Sequence, residues 1–239
     1  MDRCAGVDVV ILAAGQGRRM GVVEHKALLP IIDGQGTLAR LLGQLSTAPV
    51  RQVTVVTGHR HAAVEAVVRA RLPRAWCVYN PHFAEGEMLQ SLACAFAVEA
   101  QGADCWVLLA DTVYTDATLD TLWATPPGGV ALAVAPRDPA ADREIAVELR
   151  GGAVVALAGE APHAAWRMAH AVRWPASLRP RLRAAAQAGL RFQWQLIAAL
   201  LREGLPERGT AIHAILTPPD GAFDIDSEAD LARVPSIPS

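Results

Sequence analysis

Apolar residues recur along the first half of the chain in two alternating patterns. Residues 7–14 (VDVVILAA) are almost continuously apolar, as in a strand buried on both faces. Residues 37–45 carry apolar side chains at helical spacing, and 52–57 (QVTVVT) is short and β-branched. Residues 61–72 read as a helix stopped by Pro73, 75–79 as a third strand, and 80–87 as a loop. A helix over 88–100 and a fourth buried strand over 105–110 (CWVLLA) continue the series. Strands and helices alternating through short connections predict an α/β fold of three layers with right-handed crossovers.

The rhythm changes after Pro126-Pro127. A strand is expected at 130–135, and a hairpin at 144–149 and 153–157 around Gly151-Gly152. Helices follow at 177–188 and 192–203, then a strand at 210–216 and a short helix opened by Ser227 as its N-cap. No repeat or linker divides the chain. One domain over 1–239 is expected, with a nucleotide half (1–125) and a substrate half (126–239).

Composition narrows the function classes. The chain has 239 residues, 52% hydrophobic, with 22 Lys and Arg against 24 Asp and Glu. That near-balance lacks the positive excess of a nucleic-acid binder, and the apolar content excludes disorder. Four separated cysteines form neither a C-x-x-C pair nor a disulfide framework. The absence of a long apolar run or signal-like start predicts a cytoplasmic protein without a membrane partner.

Gly15-Gln16-Gly17-Arg18-Arg19-Met20 follows the first strand directly. Glycines there serve either a tight turn or a close backbone approach to phosphate. The dinucleotide fingerprint fails because Met20 occupies its third glycine position, and the P-loop pattern is absent. A few residues later comes His25-Lys26-Ala27-Leu28-Leu29-Pro30. Arg19 and Lys26 together suit a triphosphate, whose charge must be countered before an anionic nucleophile approaches.

In this combination, LAAGxGxRM followed by KxLLP resembles the signature of the nucleotidyltransferases that join an NTP to a phosphate-bearing substrate and release pyrophosphate. The resemblance implies a three-layer α/β/α, Rossmann-like fold with a mixed, mostly parallel sheet. It also implies that Gly15 and Gly17 wrap the phosphates and that Arg19 and Lys26 act catalytically on their charge. Leu12, Ala13 and Ala14 would contact the base.

Asp111 ends the fourth strand, where open α/β sheets bind ligands. Its carboxylate suits either Mg²⁺ or the capping of the following helix. Asp224 and Asp226 alternate in an extended segment, where they either face a ligand or cap the last helix. The resemblance assigns the metal, Mg²⁺, to Asp111 and Asp226. The chemistry would then be in-line attack of a phosphate or phosphonate oxygen on the α-phosphorus of the NTP, without a protein nucleophile.

Within the family, Asp111-Thr112-Val113-Tyr114 looks like the phosphocholine cytidylyltransferase-like branch. Asn80-Pro81-His82-Phe83-Ala84-Glu85-Gly86 also resembles the molybdopterin cytidylyl- and guanylyltransferase-like branch. Both place Asn80 and Ser91 near the nucleotide. Trp166 and Trp194, with Tyr114 and Glu160, are candidates for the acceptor, since aromatic faces attract quaternary ammonium; a place in the core is the competing role for each Trp. The expectation is a cytidylyltransferase using Mg²⁺, CTP and phosphocholine, 2-aminoethylphosphonate or hydroxyethylphosphonate. The alternatives are a molybdopterin or sugar-1-phosphate nucleotidyltransferase, or a silent nucleotide-binding module. A homodimer stays open.

Overall fold

The structure is a computed structural model that describes residues 6–16, 25–31, 34–85, 87–98, 103–138, 144–161, 164–204, 211–225 and 230. In chain order the first half contains β1 (Val7–Ala13), α1 (Thr37–Thr47), β2 (Val50–Thr57), α2 (His61–Arg71), β3 (Trp76–Tyr79), α3 (Met88–Val98) and β4 (Cys105–Leu109). Then follow β5 (Thr112–Tyr114), α4 (Asp116–Trp123), β6 (Val130–Pro136), β7 (Ala146–Arg150), β8 (Ala153–Leu157) and β9 (Trp166–Trp174). The series closes with α5 (Arg179–Gln187), α6 (Gln193–Arg202), β10 (Ile212–Leu216) and β11 (Ala222–Asp224).

Nine strands form one sheet in the order β3-β2-β1-β4-β9-β6-β10-β8-β7. The α/β architecture of the sequence reading is present, and the sheet is mixed. Strands β1 to β4 pair in parallel, as do β6 and β10, whereas β9 runs antiparallel between β4 and β6. Apart from Asp8, which pairs with Arg51, β1 is apolar because both faces are covered. Val9 and Ile11 enter one core with Leu38, Leu41 and Leu42 of α1, and Val10 enters the other with Leu89 and Leu92 of α3. Among the described residues no helix is long and apolar enough to cross a membrane.

Two features go beyond the sequence reading. Residues 166–174, to which the sequence reading gave no element, form a central strand. Its alternation is obscured because Arg167, His170 and Arg173 find polar partners rather than solvent. The second feature is a separate antiparallel pair, β5 with β11, which sets Asp224 opposite Thr112. Three-residue strands fall below any window in which a period can be read.

Candidate functional site

Parallel strands deliver their C-terminal ends to one edge of the sheet, and the site is built there. β1 ends in Ala13, Ala14 and Gly15, β2 in Thr57, Gly58 and His59, and β4 in Ala110 and Asp111. Cross-links set these ends against each other. The Ala110 N–H donates to the Leu12 carbonyl (3.1 Å) and the His59 N–H to the Ala14 carbonyl (3.1 Å). The Thr37 hydroxyl, at the start of α1, donates to the Ala110 carbonyl at 2.7 Å.

Gly58 is required by this convergence. A Cβ there would lie 2.5 Å from Phe83 Cβ and 2.8 Å from the Ala14 carbonyl oxygen. Gly58→Ala is therefore expected to displace Ala14 and to cost about 1–3 kcal/mol, the usual penalty of overpacking. A thermal melt showing no loss would refute the close approach.

The segment after the glycine loop returns to this edge as a 3-10 turn, Lys26–Leu28. Lys26 Nζ forms an ion pair with the Asp111 carboxylate, the two side chains being 14% and 24% exposed. Sequence reading named both residues but not their contact, which places a cation and a carboxylate at the mouth of β4. The capping alternative for Asp111 fails, because the N-cap of α4 is Thr115, whose side chain accepts the Thr118 N–H. Arg19, Gly17 and Asp226, the remaining loop and metal candidates, lie outside the described residues.

His25 and His59 join the site without having been singled out. Buried at 4% exposure, His25 pairs its Nε2 with the Ala13 carbonyl at 2.9 Å. Burial lowers its pKa, outweighing that hydrogen bond and the attraction of Asp111. A neutral ring must donate through Nε2 to a carbonyl, which leaves Nδ1 as an acceptor, and that atom is buried without a partner among the described residues. The ring stacks on His59 at 6.4 Å, and His59 meets Phe83 at 6.3 Å. His25 thus fixes the end of β1 next to Lys26. The sequence signal was its adjacency to the lysine.

Around β11, the Thr112 hydroxyl donates to Asp224 Oδ1, and His170 Nδ1 lies 3.2 Å from Asp224 Oδ2. Burial raises the Asp224 pKa, with Asp111 adding to the rise and His170 and Lys26 opposing it. Asp224 thus feels the Lys26–Asp111 pair. The Ile225 N–H donates to the Asp111 carbonyl at 3.1 Å, tying the end of β11 to the end of β4.

The remaining expected site residues are dispersed. Leu12, Ala13 and Ala14 line the end of β1, and Gly15 is exposed with nothing within 4 Å of where its Cβ would be. Asn80 is fully buried; its Nδ2 donates to Ser91 Oγ (3.0 Å) and its Oδ1 accepts the His82 N–H (2.9 Å). These bonds hold the 80–85 turn against α3, and a nucleotide reaching either side chain would compete with them. Tyr114, expected at the substrate, lies in the core at 1% exposure. Its hydroxyl accepts the Leu109 N–H and donates to the His170 carbonyl, both at 3.0 Å. Burial pushes its pKa far up, and it stays protonated.

An aromatic cage is not assembled by the described contacts. Trp194 stacks on Phe192 at 6.5 Å, Trp166 packs against the core of the α3 face, and exposed Glu160 faces Arg202 at 3.8 Å. Trp174, fully buried, donates to Gln193 Oε1 at 2.6 Å, and Trp106 is buried in the other core.

No three metal-ligating side chains cluster among the described residues. Mg²⁺ keeps several waters and needs only one or two carboxylates, so Asp111 at the strand end fits such an ion without a larger cluster.

Known proteins resemble the chain at several levels. Over 110 residues it is 37% identical to the bifunctional protein GlmU of Dinoroseobacter shibae, covering 46% of this chain and 24% of that protein. GlmU of an Azoarcus species is 39% identical over 87 residues, 35% of this chain and 18% of that protein. The matches thus span a quarter or less of those relatives. Among solved structures, CTP:phosphocholine cytidylyltransferase LicC of Streptococcus pneumoniae superposes with a TM-score of 0.75 at 16% identity, over 97% of this chain and 99% of that one. The inositol-1-phosphate CTP transferase of T. maritima gives 0.73 at 15% identity, over 96% of each chain. These two likenesses establish a shared fold. The profile of the MobA-like NTP transferase domain matches residues 9–203, most of the chain. With strand ends, lysine and carboxylate converging at one edge of the sheet, the chain belongs to the family of MobA-like NTP transferase domains.

Proposed function

We propose that the protein transfers CMP from CTP to a small phosphate or phosphonate, releasing pyrophosphate. The observation that carries this reading is the Lys26–Asp111 pair at the mouth of β4, on the sheet edge where exposed Gly15 follows β1. Lys26 counters triphosphate charge, and the backbone at Ala13, Ala14 and Gly15 lies against the nucleotide. Arg19 and Gly17, outside the described residues, would add charge and close backbone approach to the same phosphates. Asp111 and Asp226 would hold Mg²⁺, which neutralises and orients the NTP phosphates when bound. Acceptor attack in line with the departing pyrophosphate then needs positioning and charge stabilisation from the protein rather than covalent chemistry. The choice of CTP is supported by the Asp111-Thr112-Val113-Tyr114 segment and by cytidylyl-transferring proteins sharing the fold.

The test is a pyrophosphate-release screen of four NTPs against phosphocholine, 2-aminoethylphosphonate, hydroxyethylphosphonate and sugar 1-phosphates. Turnover with CTP and a small phosphate or phosphonate supports the reading; turnover only with another NTP or only with a sugar phosphate replaces it.

Gly15 offers a test of where the nucleotide lies. Alanine fits there, because no described residue stands within 4 Å of its Cβ. Gly15→Ala is expected to leave the melting temperature unchanged and raise KM for the NTP at least about tenfold, a close ligand approach being lost. An unchanged KM would move the nucleotide away from this loop.

A further inference from the structure

His170 sits in an irregularity in the middle of the sheet. Between β6 and β9 the register slips: Leu132 faces Val172 and Val134 faces Met168, so three residues of β9 oppose one of β6. At the centre of this bulge His170 has φ +58°, the left-handed region that a side chain with a Cβ enters at a cost of about 1–2 kcal/mol. On the other side, the β4–β9 ladder runs only from Cys105–Trp174 to Val107–Val172. Continued, that register would set Leu109 opposite His170. There the Tyr114 hydroxyl intervenes, taking the Leu109 N–H and giving its own proton to the His170 carbonyl.

The side chain is fixed as firmly as the backbone. Asp224 Oδ1 accepts the Thr112 hydroxyl, which leaves Oδ2 facing His170 Nδ1 at 3.2 Å. In the tautomer whose hydrogen sits on Nδ1, towards Asp224, Nε2 is the ring's acceptor. The imidazole is 30% exposed. Its partner Asp224 feels the charges of both Lys26 and Asp111. A bulge, a left-handed histidine, a buried tyrosine and a carboxylate thus combine to hold one imidazole against Asp224, and the Ile225 N–H ties that strand end to the Asp111 carbonyl; backbone strain of this kind collects at functional positions.

We propose that His170 determines acceptor specificity: its Nε2 accepts a hydrogen bond from a proton-donating group, hydroxyl or primary ammonium, carried by the phosphate or phosphonate acceptor. This rests on the proposed function. It sharpens the substrate class, because trimethylammonium has no proton to give and its aromatic alternative, Trp166 with Trp194, is not gathered into a cage.

The experiment compares wild type with His170→Asn and His170→Gly at pH 8, using CTP and three acceptors: hydroxyethylphosphonate, 2-aminoethylphosphonate and phosphocholine. Asparagine tolerates the left-handed backbone and glycine removes the strain altogether, so folding is protected in two different ways. Wild type is expected to favour the hydroxyl and amine acceptors over phosphocholine by at least about tenfold in kcat/KM, one hydrogen bond's worth. Both variants should raise the acceptor KM by a similar factor, keep KM for CTP within twofold, and erase the preference over phosphocholine. A wild type that prefers phosphocholine, or variants whose acceptor KM stays within twofold, overturns the role of His170 while leaving cytidylyl transfer standing. No turnover with CTP and any of the three acceptors overturns the proposed function, and this inference falls with it.

Discussion

Asp111→Asn is expected to reduce pyrophosphate release by at least about 10²–10³-fold while the protein stays folded. The substitution keeps shape and removes only charge. The backbone on either side is held independently, since Ala110 N–H bonds the Leu12 carbonyl and Ile225 N–H bonds the Asp111 carbonyl. What is lost is the carboxylate that faces Lys26 and that would ligate Mg²⁺. A carboxylate does not itself stabilise negative phosphoryl charge; its loss would act through the cation it holds, whose charge stabilisation contributes several kcal/mol. Stability should fall only by the contribution of one partly exposed ion pair, about 1 kcal/mol or less, equivalent to about 2–4 °C in Tm. A thermal melt beside a pyrophosphate assay reads both; full turnover in Asp111→Asn would remove this residue from the site.

Lys26→Ala is expected to lower kcat/KM by about 10²–10³-fold. Lys26 follows His25, whose hydrogen bond to Ala13 fixes where the turn meets the end of β1, so its ammonium is positioned rather than free to sample solvent. Lys26→Arg should recover only part of the rate. A planar guanidinium presents its donors in a fork and cannot occupy the compact position of an ammonium beside Asp111. Rates within threefold of wild type in Lys26→Ala would show that the triphosphate charge is countered elsewhere.

Legibility in the sequence followed the physics of burial. β1, β2 and β4 were readable because strands covered on both faces are largely apolar, and the C-terminal end of β4 marks Asp111. β9 escaped because Arg173 spends its donors on the carbonyls of Thr125, Pro126 and Gly128, and Arg167 pairs with Glu144; polar partners replaced the alternation that marks a strand. Tyr114 was misplaced for a related reason. Position after a strand end suggested the substrate, yet β5 turns its side chain inward, where the hydroxyl bridges two backbone groups. The His170–Asp224 pair could not be read at all, since a one-dimensional pattern carries no trace of a bulge or of β11 lying against β5.

The tryptophans divide along the same line. Trp106 and Trp174 are core residues, and exposed Trp76 lies on the edge strand β3. Size and apolarity alone did not distinguish a wall of the core from a wall of a site, and hydrogen-bond partners such as Gln193 decided it.

The most direct test of cytidylyl transfer is to follow the α-phosphorus of CTP. Wild-type protein, Mg²⁺, α-labelled CTP and hydroxyethylphosphonate are incubated together, and the labelled products are separated and weighed by mass spectrometry. Label in a single new species with the mass of CMP joined to the acceptor, formed in step with pyrophosphate and lost in Asp111→Asn, is the predicted result. Label recovered only as CTP or free CMP would contradict transfer to this acceptor.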